Sequence, residues 1–138
     1  MAKFGVWANG FIQINGVNLS QQCESFELGQ NRAGLDFHAH GDDTATKTSG
    51  LIDASFTARF FADFASGGSI KTLQPLFDAN TIFAIIVKPA SGATALGNPQ
   101  WSGNFQVGRF DPLRGKHGEV LMIECAFNLV SKFVYSET

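Results

Sequence analysis

Charged residues are scarce in this sequence, and it contains no cluster of basic residues. Only 16% of the 138 residues are charged, against roughly 25% in an average soluble domain. Ten lysines and arginines are outnumbered by twelve aspartates and glutamates, which leaves a formal net charge of -2. Tight binding to nucleic acid draws on a basic patch that neutralises several phosphates. The composition therefore argues against a nucleic-acid-binding protein.

Long apolar runs and cysteines are also lacking. No hydrophobic stretch follows the first residues, Met1 to Gly5, so the sequence predicts neither a signal peptide nor a transmembrane helix. We expect synthesis in the host cytoplasm and no insertion into a membrane. The two cysteines, Cys23 and Cys125, are predicted to be buried free thiols. A disulfide between neighbouring strands is the alternative.

Phenylalanine supplies many of the large apolar side chains of this sequence. There are 14 phenylalanines against one tyrosine and two tryptophans, so most aromatic rings have no polar group and favour full burial. Low surface charge and many small residues suit a surface that is covered by copies of the same chain. An ordinary, weakly charged monomer is the alternative.

Strand signals dominate the sequence. Asn15-Gly16 lies between Phe11–Ile14 and Val17–Leu19 and favours a type I′ hairpin. In Leu51–Phe61, alternate residues are apolar, which predicts a strand with one buried face. Thr81–Val87 is almost continuously apolar and predicts a central strand covered on both faces. Further strands are predicted over Cys23–Leu28, Trp101–Phe110 and Glu119–Val130.

One short helix is predicted from Ser69 to Phe77, with Ser69 as its N-cap and Pro75 limiting or bending it. About seven strands with one helix and short turns predict a mainly β protein. We expect an antiparallel β-sandwich or partly closed barrel with one short α-helix, formed by a single domain over residues 1–138.

The segment from Gln30 to Gly50 is too polar and too rich in turn formers to belong to a core. We interpret it as a long excursion, extended around Leu35 to His40, and as an arm that reaches another subunit. The candidate interface residues of this arm are Asn31, Arg32, Leu35, Phe37, His38, His40, Asp42, Asp43 and Lys47.

Groups that could carry chemistry are few. In an extended segment His38 and His40 would point to one side, and Asp42 could complete a zinc site. Solvated imidazoles in a polar turn are the simpler explanation. No serine lies in a nucleophile elbow, and neither cysteine has a base nearby in sequence. We therefore predict a protein that is not an enzyme and that uses no cofactor.

Several segments, taken in order, resemble the tail tube (major tail) proteins of phages with long, non-contractile tails. The likeness covers most of the chain. It is carried by Ile14–Ser20, Gly41–Thr44, Lys47–Leu51, Asp53–Phe56, Ala62–Ala65, Ile70–Phe77, Thr81–Phe83, Val87–Pro89 and Asn98–Gly103. Each of these motifs is weak alone, and it is their order and spacing that make the resemblance.

The resemblance implies a virion structural protein of the tail. Six copies would join their sheets into a ring, and stacked rings would conduct DNA during ejection. The expected partners are the chain itself, other tail proteins such as the terminator and the tape measure, and DNA in transient, non-specific passage. A weakly acidic lumen would let DNA slide without adsorbing. The candidate lumen residues are Glu24, Glu27 and Glu124, although contact with solvent or with a neighbour's basic residues explains them equally well.

Two other functions stay open at this point. One is a different virion part with a related fold, such as a head-completion or capsid-decoration protein. The other is a small metal-dependent enzyme or ligand-binding sandwich that uses His38 and His40.

Overall fold

Antiparallel strands make up most of the computed structural model, which describes residues 10–37, 39–41, 43–44 and 46–137. The elements in chain order are β1 (Phe11–Ile14), β2 (Val17–Asn18), β3 (Cys23–Phe37), β4 (Thr46–Phe61), α1 (Ser69–Asp78), β5 (Phe83–Lys88), β6 (Gln100–Arg114), β7 (Met122–Leu129) and β8 (Val134–Ser136). The predicted fold class, mainly antiparallel β with one short helix, is confirmed.

The strands form one eight-stranded sheet in the order β2-β1-β5-β6-β7-β4-β3, and β8 pairs with the first residues of β6. At one end of this order is the predicted hairpin of β1 and β2. Asn15 and Gly16 adopt the positive φ angles of 50° and 81° that a type I′ turn requires. The sheet does not close into a barrel, so β2 and β3 are its two edges.

The core lies where the sheet curls over its own inner face. Phe56 of β4 is in its centre, with ring centroids 5.5 Å from Phe127, 6.0 Å from Phe26 and Phe105, and 6.5 Å from Phe133. These rings come from β3, β4, β6, β7 and the segment before β8. Ala54, Ala58 and Phe60 are also buried, so the alternation predicted for Leu51–Phe61 is confirmed.

Helix α1 closes the core with Leu73 and Leu76. The N-cap is Gly68, and the prediction of Ser69 as N-cap is wrong by one residue. A side chain at Gly68 would lie 2.6 Å from the carbonyl oxygen of Asp63, which leaves room only for glycine. Ser69 is instead fully buried in the first turn, where its hydroxyl donates to the Phe61 carbonyl and accepts from the Asp63 amide. Pro75 lies inside the helix, which ends three residues later at Asp78.

One strand prediction needs correction, and strand β3 contains an irregularity. Strand β5 begins at Phe83 rather than Thr81, and only alternate residues Phe83, Ile85 and Val87 are buried, while Ala84 is exposed and Ile86 is half-buried. The expected cover on both faces is therefore wrong, because α1 and the curled sheet cover only the inner face. In β3 the alternation is broken by a bulge at Glu24, which lets Cys23 and Phe26 both pack against the core.

Both cysteines are free thiols, Cys125 buried on β7 and Cys23 half-buried. Burial raises the pKa of Cys125 from 9.0 to about 12, with a smaller contribution from the negative charge of Asp111. The predicted burial therefore holds fully for Cys125 and only partly for Cys23. Among the described residues α1 is the only helix, and its ten residues are too few to cross a bilayer.

Replacing the central ring should cost much of the stability. We expect Phe56→Ala to lower the free energy of unfolding by about 3–5 kcal/mol, since it removes the buried ring and leaves a cavity. Thr57→Ala changes the next residue, which is exposed on the other face, and should stay within about 0.5 kcal/mol of the wild type. Urea denaturation of both variants measures this, and equal losses would contradict the assigned faces of β4.

The protonated state of Cys125 should make stability fall at alkaline pH. Above pH 9 the unfolded chain loses the thiol proton that the fold keeps until about pH 12, so unfolding becomes more favourable as pH rises through this interval. Cys125→Ala removes the titrating group. Urea denaturation at pH 8, 9.5 and 10.5 should show a shallower decline in this variant, whereas parallel declines would contradict the assignment.

Candidate assembly interface

The arm predicted over Gln30–Gly50 is the outer part of a long β-hairpin. Pairing of β3 with β4 continues from Arg32↔Ile52 through a bulge to Gly34↔Ser49 and on to Phe37↔Thr46. All described residues from Gln30 to Ser49 are exposed. The segment does leave the core, but its backbone is regular rather than a loose excursion, because each strand supplies the other with hydrogen-bond partners.

Apolar side chains stand on this exposed hairpin without a core to cover them. Leu35 and Phe37 are two residues apart, so they share one face, and both are more than half exposed. Leu51, beside the bulge, is 90% exposed. Arg32 donates to the Gly50 carbonyl at 3.1 Å. Exposed apolar surface of this kind is unfavourable in water and is typical of a protein-protein contact.

The other candidate arm residues are polar. Lys47 lies 3.8 Å from Asp36 in an exposed ion pair, and Asn31 pairs with Asp53 in the ladder. His40 and Asp43 are exposed near the tip, whereas His38 and Asp42 lie outside the described residues. In the part of the chain that the structure describes, no three potential ligands form a metal site. The assembly role of these side chains stays a prediction.

Strand β3 is a long edge of the described part of the sheet. Within the described residues its 15 residues pair with β4, and at the opposite edge β2 has two residues. An edge strand of this length presents a row of backbone donors and acceptors to any chain that can pair with it. The described sheet therefore offers a surface for lateral association.

The three candidate lumen carboxylates lie on the outer face of the sheet, opposite the core. Glu24 and Glu124 flank the same residue, Arg59, at 4.0 Å and 3.2 Å. Glu27 pairs with Thr57, two residues from Arg59 along β4, and so shares this face. The structure thus brings all three onto one surface, although none of them was predicted to have a partner within the chain.

Four further charged residues complete this surface, and sequence reasoning missed them. Arg114 lies 2.8 Å from Glu124, and Asp111 lies 2.7 Å from Arg109 and 3.8 Å from Arg114. The fourth is Arg59. We call the seven residues the charged row: Glu24, Glu27, Arg59, Arg109, Asp111, Arg114 and Glu124. The outward position of Arg59 in the β4 alternation was the available signal, but the partners depend on strand register.

An apolar cleft of about 500 Å³ opens between β3 and the β5–β6 end of the sheet. Phe26, Leu28, Val87, Pro89 and Trp101 form its apolar walls. Among the described residues its polar lining consists of Glu27, Gln30 and Lys88, none of which has a hydroxyl, thiol or imidazole group.

The loop between β5 and β6 is held in shape by one side chain. The amide of Asn98 accepts from the Ala90 backbone at 3.0 Å and donates to the carbonyls of Ala90, Gly92 and Ala93 at 3.0–3.3 Å. At the tip, Ala95 and Asn98 exchange two backbone hydrogen bonds. This tight turn presents Leu96, which is 80% exposed.

No family model and no curated protein matches this chain. Solved structures do share its fold. A chain in the tail of an empty gene transfer agent particle, computed with helical refinement in C6 symmetry, superposes with a TM-score of 0.66 at 13% identity, over 83% of this chain and 82% of that one. A chain in the native gene transfer agent virion gives 0.66 at 14% identity, over 83% and 85%.

A third likeness is to a chain in the six-fold symmetrised cryo-EM structure of the anti-feeding prophage baseplate. Its TM-score is 0.61 at 10% identity, over 98% of this chain and 97% of that one. At such identities the likeness establishes a shared fold. The fold of this chain is therefore one that occurs in phage-like tail and baseplate assemblies.

Removing the Asn98 amide should loosen the β5–β6 loop. In Asn98→Ala the Ala90 amide loses its acceptor and three carbonyls lose their donor, so we expect faster hydrogen exchange of the Ala90 amide. Asn104→Ala, at an exposed asparagine of β6, is the matched control. Hydrogen exchange followed by mass spectrometry tests this, and unchanged protection in Asn98→Ala would contradict the role given to that side chain.

Proposed function

We propose that this chain is a structural subunit of a phage-like tail and, more specifically, a subunit of the tail tube. Copies would join side by side into rings, six to a ring, and the rings would stack into a conduit for DNA. The fold that the chain shares with parts of tails and baseplates solved with six-fold symmetry supports this proposal. The terminator and the tape measure are the further partners it implies.

The free edge of β3 is the observation that carries the proposal. A 15-residue edge with an exposed apolar hairpin at its end would promote uncontrolled aggregation in a free monomer, unless another strand covers it. Lateral pairing with a neighbouring copy supplies that strand. Closing the row of copies into a ring then removes every edge.

The charged row would form part of the inner wall. Its seven residues comprise four carboxylates and three arginines, and ion pairs of 2.7–4.0 Å link all of them except Glu27. Arginines held by carboxylates are less able to bind phosphates, and the excess of one negative charge disfavours adsorption of a polyanion. A wall with this balance suits passage of DNA without retention.

Removing the outer hairpin should separate assembly from folding. We expect a variant in which Asn-Gly replaces residues 33–51 to fold, because Arg32 and Ile52 are paired and a two-residue turn can join them. It should keep a thermal midpoint near that of the wild type but form no tubes in negative-stain electron microscopy. In the full-length chain, Leu35→Lys with Phe37→Lys should give the same loss.

The wild-type chain, purified at high concentration, is the reference and should form rings or tubes. Tubes of normal length from both variants would contradict the role of the arm. A wild-type chain that stays a monomer would overturn the tail tube proposal. A stable trimer would point to a head-completion or decoration protein instead.

A further inference from the structure

The two ends of the sheet can be distinguished by strand register. Strands β4 and β6 both run antiparallel to β7, and Phe56 and Val107 both pair with Phe127. Counting six residues back along each strand, Gly50 is level with Trp101. The β3–β4 hairpin and the β5–β6 loop therefore project from the same end, which we call the arm end. The opposite end carries the segment after β4 and the β6–β7 loop, and we call it the far end.

The far end has its own exposed apolar side chains. Leu113 is 69% exposed, Val120 64% and Phe64 58%. The two segments that carry them are tied together, since the Ala62 amide donates to the Leu121 carbonyl at 2.9 Å. Gly115, two residues after Leu113, also lies close to the carbonyl of Val120. These residues therefore belong to one surface rather than to separate loops.

The arm end presents a rigid apolar projection. Asn98 holds the β5–β6 loop by four hydrogen bonds, and Lys88 donates to the Gly92 carbonyl at 3.0 Å. Leu96 stands at its tip. A loop whose backbone is already ordered loses less conformational entropy on contact than a flexible one. Such a leucine is suited to dock into an apolar surface.

We infer that the Leu96 loop of one copy docks on the Phe64, Leu113 and Val120 surface of a second copy, so that copies stack arm end to far end. This inference rests on the proposed function and names the contact between successive rings. The two surfaces differ and lie at opposite ends, so each docking leaves one free surface of each kind. Contacts of this type continue into an open stack instead of closing into a dimer.

Cross-linking tests the pairing of the ends. In a Cys23→Ser background, which leaves only the buried Cys125, Leu96→Cys and Leu113→Cys are placed in the same chain and treated with a short bis-maleimide. We expect a ladder of covalent oligomers, whereas each single variant stays monomeric. Leu96→Cys with Thr57→Cys, which lies on the outer face, is the control and should give no ladder. Dimers from the Leu96→Cys variant alone would show contact between like ends and overturn the inference.

Mixing experiments give a second readout. Leu96→Asp should block the arm end and Leu113→Asp with Val120→Asp the far end, so rings of either variant alone should not stack. When preformed rings of the two variants are mixed, one ring of each kind should join into a stack of two. Each variant keeps the surface that the other variant needs for docking. Long tubes from either variant alone would overturn the inference and leave the tail tube proposal standing. A wild-type chain that forms neither rings nor tubes would overturn both.

Discussion

Backbone pairing between β3 and β4 is the constraint on which the rest of the structure depends. The same ladder runs from Cys23↔Phe60, beside the core, to Phe37↔Thr46 at the end of the exposed hairpin. Burial of Phe56 and Phe60 fixes the register of the inner half, because a register shift of one residue would expose both rings to solvent. The outer half has no core to hold it. Its direction follows from the inner half, since a hairpin continues the twist of the sheet that it leaves, although its register shifts at the bulge between Arg32 and Gly34.

The elements with side-chain signals could be predicted from sequence, and those set by the backbone could not. Ala54 to Phe60 alternate, and Asn15-Gly16 admits positive φ, so a buried face and a turn follow from the residues themselves. Strand pairing beyond Arg32 leaves no such signal, because the described residues from Gln30 to Ser49 are exposed and no core selects a buried face. The position of Gly68 as N-cap depends on the close approach of the Asp63 carbonyl. No local sequence pattern indicates this approach. The exposure of Ala84 on the outer face of β5 likewise depends on the course of the whole sheet.

The charged row illustrates the same division for the candidate site. Outward positions for Arg59 and Glu124 follow from strand alternation. The outward position of Glu24 depends on the bulge in β3, and contact of the three across three strands requires the register. Exposed ion pairs of this kind contribute only about 0–1 kcal/mol each to stability. Stability is thus a weak reason for placing seven charged residues on one face of a chain in which only 16% of the residues are charged. A requirement on the electrostatic potential of that face is the stronger explanation.

Lateral and axial association would use different chemistry in this chain. The β3 edge offers main-chain hydrogen bonds, which depend little on side-chain identity, whereas the two ends offer isolated apolar side chains on loops. A substitution at Leu96 or Leu113 leaves the backbone of β3 untouched, so ring formation and ring stacking can be changed independently. An assembly built in two steps gains from this separation, because rings must close before the surfaces at their ends are arranged to bind the next ring. Weak single contacts are then repeated around the ring, and their combined effect makes stacking strong only for complete rings.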